Sequence, residues 1–190
     1  PPLAVRVNSC KTTREALTER LKEEGVETKE VPGVEQALTL ERSGSIESLS
    51  SFQDGFFHVQ DLASQLCCQA LSPKPGERVY DVCAAPGGKT FTMAELMENQ
   101  GELSSFDLYP AKVKLIQQGA KRLGLSVVTP GSVTPLTRKR CCRRGIKSSA
   151  MSLAPVWELS AESRRFAIKT RICLTVCRIC STLFYVYPQI

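Results

Sequence analysis

A chain of 190 residues with 42% apolar content is long enough for one cored domain, or for one domain and a small appendage. No apolar run is long enough to cross a bilayer and no secretory signal pattern opens the chain, so we expect a soluble, cytoplasmic, monomeric protein. The formal charge of +6 would point to nucleic acid, but residues 1–126 carry 14 Lys and Arg against 17 Asp and Glu, while residues 127–190 carry 11 against 2.

The basicity therefore belongs to the tail and says little about the rest. Nine cysteines scatter without a regular framework, and the adjacent pairs Cys67-Cys68 and Cys141-Cys142 are poorly placed to bridge each other, so reduced thiols are expected. The first residue is Pro1 rather than Met, and we expect the chain to be part of a longer one.

Residues 3–8, LAVRVN, alternate apolar and polar like a half-buried strand. Thr12 and Thr13 then offer a cap for an amphipathic helix with Leu17 and Leu21 on one face, and Gly25 ends it. A second strand is predicted over residues 27–31, a short helix over 34–38 and an extended segment over 38–40. Together these resemble half of a ferredoxin-like unit. Residues 43–58 form a Gly/Ser-rich connection. From residue 60 to 71 the apolar positions Leu62, Ala63, Leu66 and Ala70 recur at helical spacing, which puts His58 just ahead of a helix. His58 is the single histidine; beside two phenylalanines it reads as a packed residue rather than a catalytic base.

The stretch that organises the chain is VYDVCAAPGGKT, residues 79–90: an apolar strand, a Pro-Gly-Gly turn and the start of a helix. Gly87 and Gly88 let the backbone approach a ligand, and the N–H groups at the start of the helix offer donors to an anion. A second strand at 103–107 ends in Asp107, about 20 residues after the glycine turn, where a doubly wound sheet places the acid that binds ribose hydroxyls.

DVCAAPGGKT resembles the cofactor motif of the RNA cytosine-C5 methyltransferases, in particular the bacterial Fmu/Sun type that modifies small-subunit ribosomal RNA. PPLAVRVN with TTREAL, GFFHVQDLASQL and FDLYPAKVKLIQQGAKRLGL are similar to the same family in the same order, so that the resemblance covers residues 1 to about 126. It implies an α/β fold, with a Rossmann-like methyltransferase domain (46–126) preceded by a small α+β ferredoxin-like, RNA-recognition module (1–45). It further implies that Cys83, Ala84, Ala85, Pro86, Gly87, Gly88 and Lys89 surround S-adenosyl-L-methionine, that Asp107 binds its ribose, and that Gln60, Asp61 and Ser64 support the pocket. The implied partner is small-subunit ribosomal RNA, and no metal is implied. In the family a cysteine adds to C6 of cytosine so that C5 accepts the methyl group, and a second cysteine in a Pro-Cys motif assists release. Cys83 is neither of these, because it lies in the cofactor loop.

After Leu125 the resemblance stops. Neither the Pro-Cys-Ser-Gly motif nor the later Thr-Cys motif is found, and residues 137–150 become TRKRCCRRGIKSSA. If the gene is read one base out of register, the codons behind AMSLAPVWELSAESRRFAIKT permit DVPCSGLGIIRRKPEIRYK, which resembles the missing motif and its flank. Met151 and Trp157, with single codons, constrain that string. We therefore read residues 127–190 as a non-native, frameshifted tail, expect no catalytic cysteine in this frame, and expect no methyl transfer. The alternative is a non-catalytic fragment that binds S-adenosylmethionine or RNA. Cys173, Cys177 and Cys180 have the spacing of a radical-enzyme cluster, but no barrel pattern accompanies them, and they too read as products of shifted codons.

Overall fold

The computed structural model describes residues 3–41 and 44–132. Of the stretch read as a shifted frame, residues 127–132 are described and residues 133–190, with the expected thiol motifs, the basic run and the Cys173, Cys177 and Cys180 triplet, fall outside that range.

β1 (Leu3–Val7) buries Val5 and Val7 on one face and turns Arg6 to the other. α1 (Arg14–Glu23) starts where Thr13 Oγ1 accepts the Ala16 N–H, at 3.3 Å, and buries Leu17 and Leu21 against the sheet. β2 (Glu27–Glu30) follows. Residues 34–38 do not form the short helix expected from their sequence. Val34 sits in a turn, and β3 (Ala37–Glu41) takes the rest, pairing Leu38 with Val5 and Leu40 with Leu3. Four ladder positions and the burial of Ala37, Leu38 and Leu40 outweigh the weak local helical preference.

The expected connection over 43–58 contains a single 3₁₀ turn at Ile46–Ser48, a one-turn helix α2 (Ser50–Gln53) and β4 (Phe57–Val59), which runs antiparallel to β1. The sheet order is β2-β3-β1-β4 with every neighbour antiparallel, which is the complete βαββαβ arrangement rather than half of it. Its fourth strand comes from beyond residue 45. Val5, Val7, Leu17, Leu21, Val26, Leu38, Leu40 and Phe57 form its core.

α3 (Leu62–Leu71) is capped by Asp61, whose carboxylate accepts the Ser64 N–H at 2.8 Å. β5 (Arg78–Asp81), α4 (Gly88–Leu96), β6 (Glu102–Asp107), α5 (Pro110–Leu123) and β7 (Val128–Ser132) then build two consecutive parallel crossovers, with strand order β5-β6-β7. Val79, Leu103 and Val128 lie side by side across it. Burial of Val79, Met93, Met97, Leu103, Ile116 and Leu123 holds helices and sheet together, giving the Rossmann-like layer expected for this half. β7 begins inside the stretch read as tail, and all five of its residues pair with β6.

Several polar contacts fasten the two sheets together. Asn8 Nδ2 donates to the carbonyls of Gly55 and Leu123, at 2.8 and 2.9 Å, and the Arg122 guanidinium donates to the carbonyls of Phe52 and Phe57 while lying 3.8 Å from the Phe52 ring centroid. On the far face of the first sheet, Arg6 Nε meets Glu95 Oε2 of α4 at 2.7 Å, both residues almost fully buried. Among the described residues, no helix is long and apolar enough to cross a membrane.

Candidate functional site

The carboxyl ends of β5 and β6 lie together, because the strands are parallel and in register from Arg78 beside Glu102 to Asp81 beside Ser105. Ligands of open α/β sheets bind at that edge. The chain leaves β5 at Asp81, makes the turn through residues 82–87 with a cis peptide between Ala85 and Pro86, and enters α4 at Gly88. The Ala84 N–H donates to the Phe106 carbonyl at 3.0 Å, which ties the turn to the neighbouring strand.

Gly87 has φ +115°, a conformation that side chains rarely adopt, and a Cβ there would sit 2.4 Å from the Phe91 ring. A Cβ on Gly119 of α5 would meet the same ring at 2.4 Å. Phe91 is thus wedged between a glycine of the turn and a glycine of the next helix. Its rigid ring fixes how close the turn lies to α5.

Gly87 gives α4 no side-chain cap, whereas Thr13 and Asp61 cap α1 and α3. The first intrahelical bond runs from the Phe91 N–H to the Gly87 carbonyl, at 2.8 Å, so the N–H groups of Gly88, Lys89 and Thr90 are left to a ligand or to water. The helix dipole adds partial positive charge at the same place.

Asp107, half-buried at the end of β6, accepts the Ala85 N–H on Oδ2 at 3.4 Å and the Tyr109 N–H on Oδ1 at 3.1 Å. An ionised carboxylate has about four acceptor positions, so two remain for the paired hydroxyls of a ribose. Leu108 and Tyr109 stand exposed immediately after it. A carboxylate acceptor, a run of backbone donors and exposed apolar side chains are a donor and acceptor set that fits a nucleoside with a charged amino-acid tail.

The structure brings Cys83, Ala84, Ala85, Pro86, Gly87, Gly88, Lys89 and Asp107 into one turn-and-strand corner. Cys83 and Pro86 are exposed, Ala84 and Gly87 are buried, and Ala85, Gly88 and Lys89 lie between. Gln60 reaches the corner through α4, and a Cβ on Gly88 would lie 3.6 Å from its Cγ and Nε2. Asp61 caps α3 by accepting the Ser64 N–H. His58 lies in β4, buried, 3.5 Å from Thr92 Oγ1 and with its ring edge-on to Phe91. Among the described residues no group of three or more His, Cys, Asp or Glu is placed to hold a metal ion.

One residue of the corner had no assigned role in the sequence. Asp81 is buried, accepting the Thr90 hydroxyl at 2.7 Å and the Cys83 N–H at 3.3 Å, and so it locks both ends of the turn. Burial pushes its carboxyl up to about 6, against the opposing pull of these two hydrogen bonds. The signal was present as an acid closing the strand directly ahead of the glycine turn. Because the folded state holds this proton to higher pH than the unfolded chain, Asp81 makes stability fall as pH rises from about 4 to about 6. Asp81→Asn should flatten that slope and raise the urea midpoint at pH 7 relative to the parent. A parent and variant with parallel pH profiles would contradict this.

Comparison with known proteins bears on the same corner. Residues 68–136 match the family described as 16S rRNA methyltransferase RsmB/F, and residues 1–47 match the ferredoxin-like domain of RsmF/B-like methyltransferases. The first match runs on to residue 136, through β7. A probable ribosomal RNA small subunit methyltransferase B of Bacillus subtilis is 43% identical over 128 residues, 67% of this chain and 28% of that protein. The corresponding protein of Synechocystis is 38% identical over 129 residues, 67% of this chain and 29% of that one. The chain thus spans less than a third of the curated relatives it matches. Among solved structures, a methyltransferase homologue from Pyrococcus horikoshii is 35% identical with a TM-score of 0.67, covering 73% of this chain and 46% of that one. NSun6 from the same organism, solved with SFG, shares the fold at 20% identity and a TM-score of 0.71, covering 90% of this chain and 65% of that one.

Proposed function

The chain belongs to the RsmB/F family of 16S rRNA methyltransferases, and from that premise we propose that the corner built by residues 83–89 and Asp107 binds S-adenosylmethionine as methyl donor. The observation that carries this reading is the pairing of Asp107 with the Ala85 N–H beside the uncapped start of α4. Asp107 would receive the ribose hydroxyls, the N–H groups of Gly88 to Thr90 would receive the carboxylate of the methionine part, and Leu108 and Tyr109 would flank the base. Bound there, the cofactor supplies an electrophilic methyl group. The substrate we propose is C5 of a cytosine in small-subunit ribosomal RNA, reached through a cysteine adduct with the base turned out of its stack.

We propose that the chain after β7 carries a shifted frame, so that the two thiols such an adduct requires have no counterpart in it. This chain would then bind the cofactor without transferring its methyl group. Equilibrium dialysis with labelled S-adenosylmethionine tests the binding. Removing the acceptor of two charge-assisted hydrogen bonds, in Asp107→Ala, should weaken binding by at least about tenfold. Equal retention by parent and variant would refute the assignment of Asp107.

A further inference from the structure

Gln60 belongs to the first sheet by its backbone and to the glycine turn by its side chain. Its N–H donates to the Ala4 carbonyl of β1 at 3.2 Å. Its carbonyl accepts from Gln65 Nε2 at 3.1 Å, and that same nitrogen reaches the Val5 carbonyl at 3.3 Å. Gln65 is fully buried and Gln60 nearly so, and the main chain at residue 60 is therefore pinned to β1 from two sides.

The Gln60 carboxamide leaves this anchor and enters α4. Thr92 Oγ1 donates to Gln60 Oε1 at 2.7 Å and lies 3.1 Å from the Gly88 carbonyl, one turn earlier in the helix. Thr92 has no exposed surface, and its hydroxyl also lies 3.5 Å from His58 Nε2 of β4. Gly88 is the first residue of α4, and its N–H is one of the donors left open. The polar path Ala4, Gln60, Thr92, Gly88 therefore crosses from the first sheet to the backbone that faces the ligand. Thr92 has one proton for the two acceptors, so the shorter contact carries the hydrogen bond that fixes the carboxamide against the first turn of α4 in a low-dielectric interior.

We propose that Gln60 is a positioning residue for the cofactor corner, so that the ferredoxin-like sheet sets the placement of the Gly88 backbone and with it the affinity for S-adenosylmethionine. This rests on the reading of that corner as a cofactor site. Gln60 itself need not touch the ligand. Its effect runs through Thr92, a role that neither a caps-and-core account nor a ligand-contact account contains.

The test uses near-isosteric variants of the whole chain, Gln60→Met and Thr92→Val, and the double variant, each read in two ways. Calorimetric titration with S-adenosylmethionine should show roughly tenfold weaker binding in each single variant and no further loss in the double, because both break one path. Amide hydrogen exchange without ligand should show faster exchange at residues 91–93, the first bonded amides of α4, and unchanged exchange at β6 and at β1. Full additivity, or unchanged affinity in variants that retain the parent's β1 exchange, would overturn the proposal. If the parent itself fails to bind, the cofactor reading falls. The exchange data then decide the positioning claim alone, with unchanged exchange at residues 91–93 overturning it. A variant that loses protection throughout has unfolded; Gln60→Glu, which keeps the acceptor for Thr92, should then restore both readouts, and its failure to do so would count against the path.

Discussion

Arg6→Met should lower the stability of the chain by about 3–5 kcal/mol, because it strands a buried carboxylate. Arg6 and Glu95 are 1% and 2% exposed, and their contact at 2.7 Å joins β1 to the last full turn of α4. The surroundings do not offer Glu95 a substitute. His58 Nδ1 lies 3.4 Å from Glu95 Oε1, too poorly aligned to satisfy either atom, and Arg6 Nη1 has no partner among the described residues. A bridge with open valences on both sides gains little over an apolar pair of the same size. Arg6→Met with Glu95→Met should therefore recover most of the loss, and could exceed the parent. Urea denaturation of the parent, both single variants and the double variant reads this as a cycle. A single variant within 1 kcal/mol of the parent would show that the pair is solvated in solution. Against a total stability on the order of 5–15 kcal/mol, the predicted loss would bring the chain close to unfolding.

DNA sequence read across the codons for Gly124 to Val133 should show a one-base disturbance of the frame, and the chain as written should transfer no methyl group. The corrected frame permits the Pro-Cys-Ser-Gly string in place of residues 152–155 and its flank after it. In the family that cysteine assists release, and the nucleophilic thiol of the later Thr-Cys motif is likewise not found in this frame; a covalent route without its nucleophile does not turn over. The measurements are that DNA sequence and incorporation of labelled methyl into small-subunit RNA by the parent chain. Label transferred by the parent chain would refute the reading of its tail, and so would a DNA sequence showing an undisturbed frame with codons that do not permit the motif. β7 bears on where the break lies. Its five residues pair in register with β6 and bury Val128 beside Leu103, so the fold of the second sheet is intact through Ser132.

The elements that could be read from residues alone were those whose local signals agree with their tertiary surroundings. Thr13 followed by Leu17 and Leu21 gives α1, and the Pro-Gly-Gly turn between apolar strand and helix gives the corner. The short helix expected at 34–38 failed because pairing across β1 decides the fate of Leu38 and Leu40, and that pairing is remote in sequence. β4 was hidden for the same reason: three residues carry no periodicity, and Phe57 and His58 become a strand only by lying beside Val7 and Arg6. The alternation in β1 was legible, yet it assigns Arg6 to solvent. What buries Arg6 is α4, from the other half of the chain, and the matching charge on Glu95 sits 89 positions away. Asp107 could be placed from spacing and resemblance, whereas the lock made by Asp81 on Thr90 and Cys83 required the geometry of the turn.

The central claim is that the glycine turn and Asp107 form one cofactor site. Its most direct test is an NMR titration of the isotope-labelled 190-residue chain with S-adenosylmethionine. The account predicts that the amides of Ala85, Gly87, Gly88, Lys89 and Asp107 shift together along a single binding curve, while those of β2 and β3 stay still. Saturable shifts confined to other elements, or none at millimolar ligand, would contradict it.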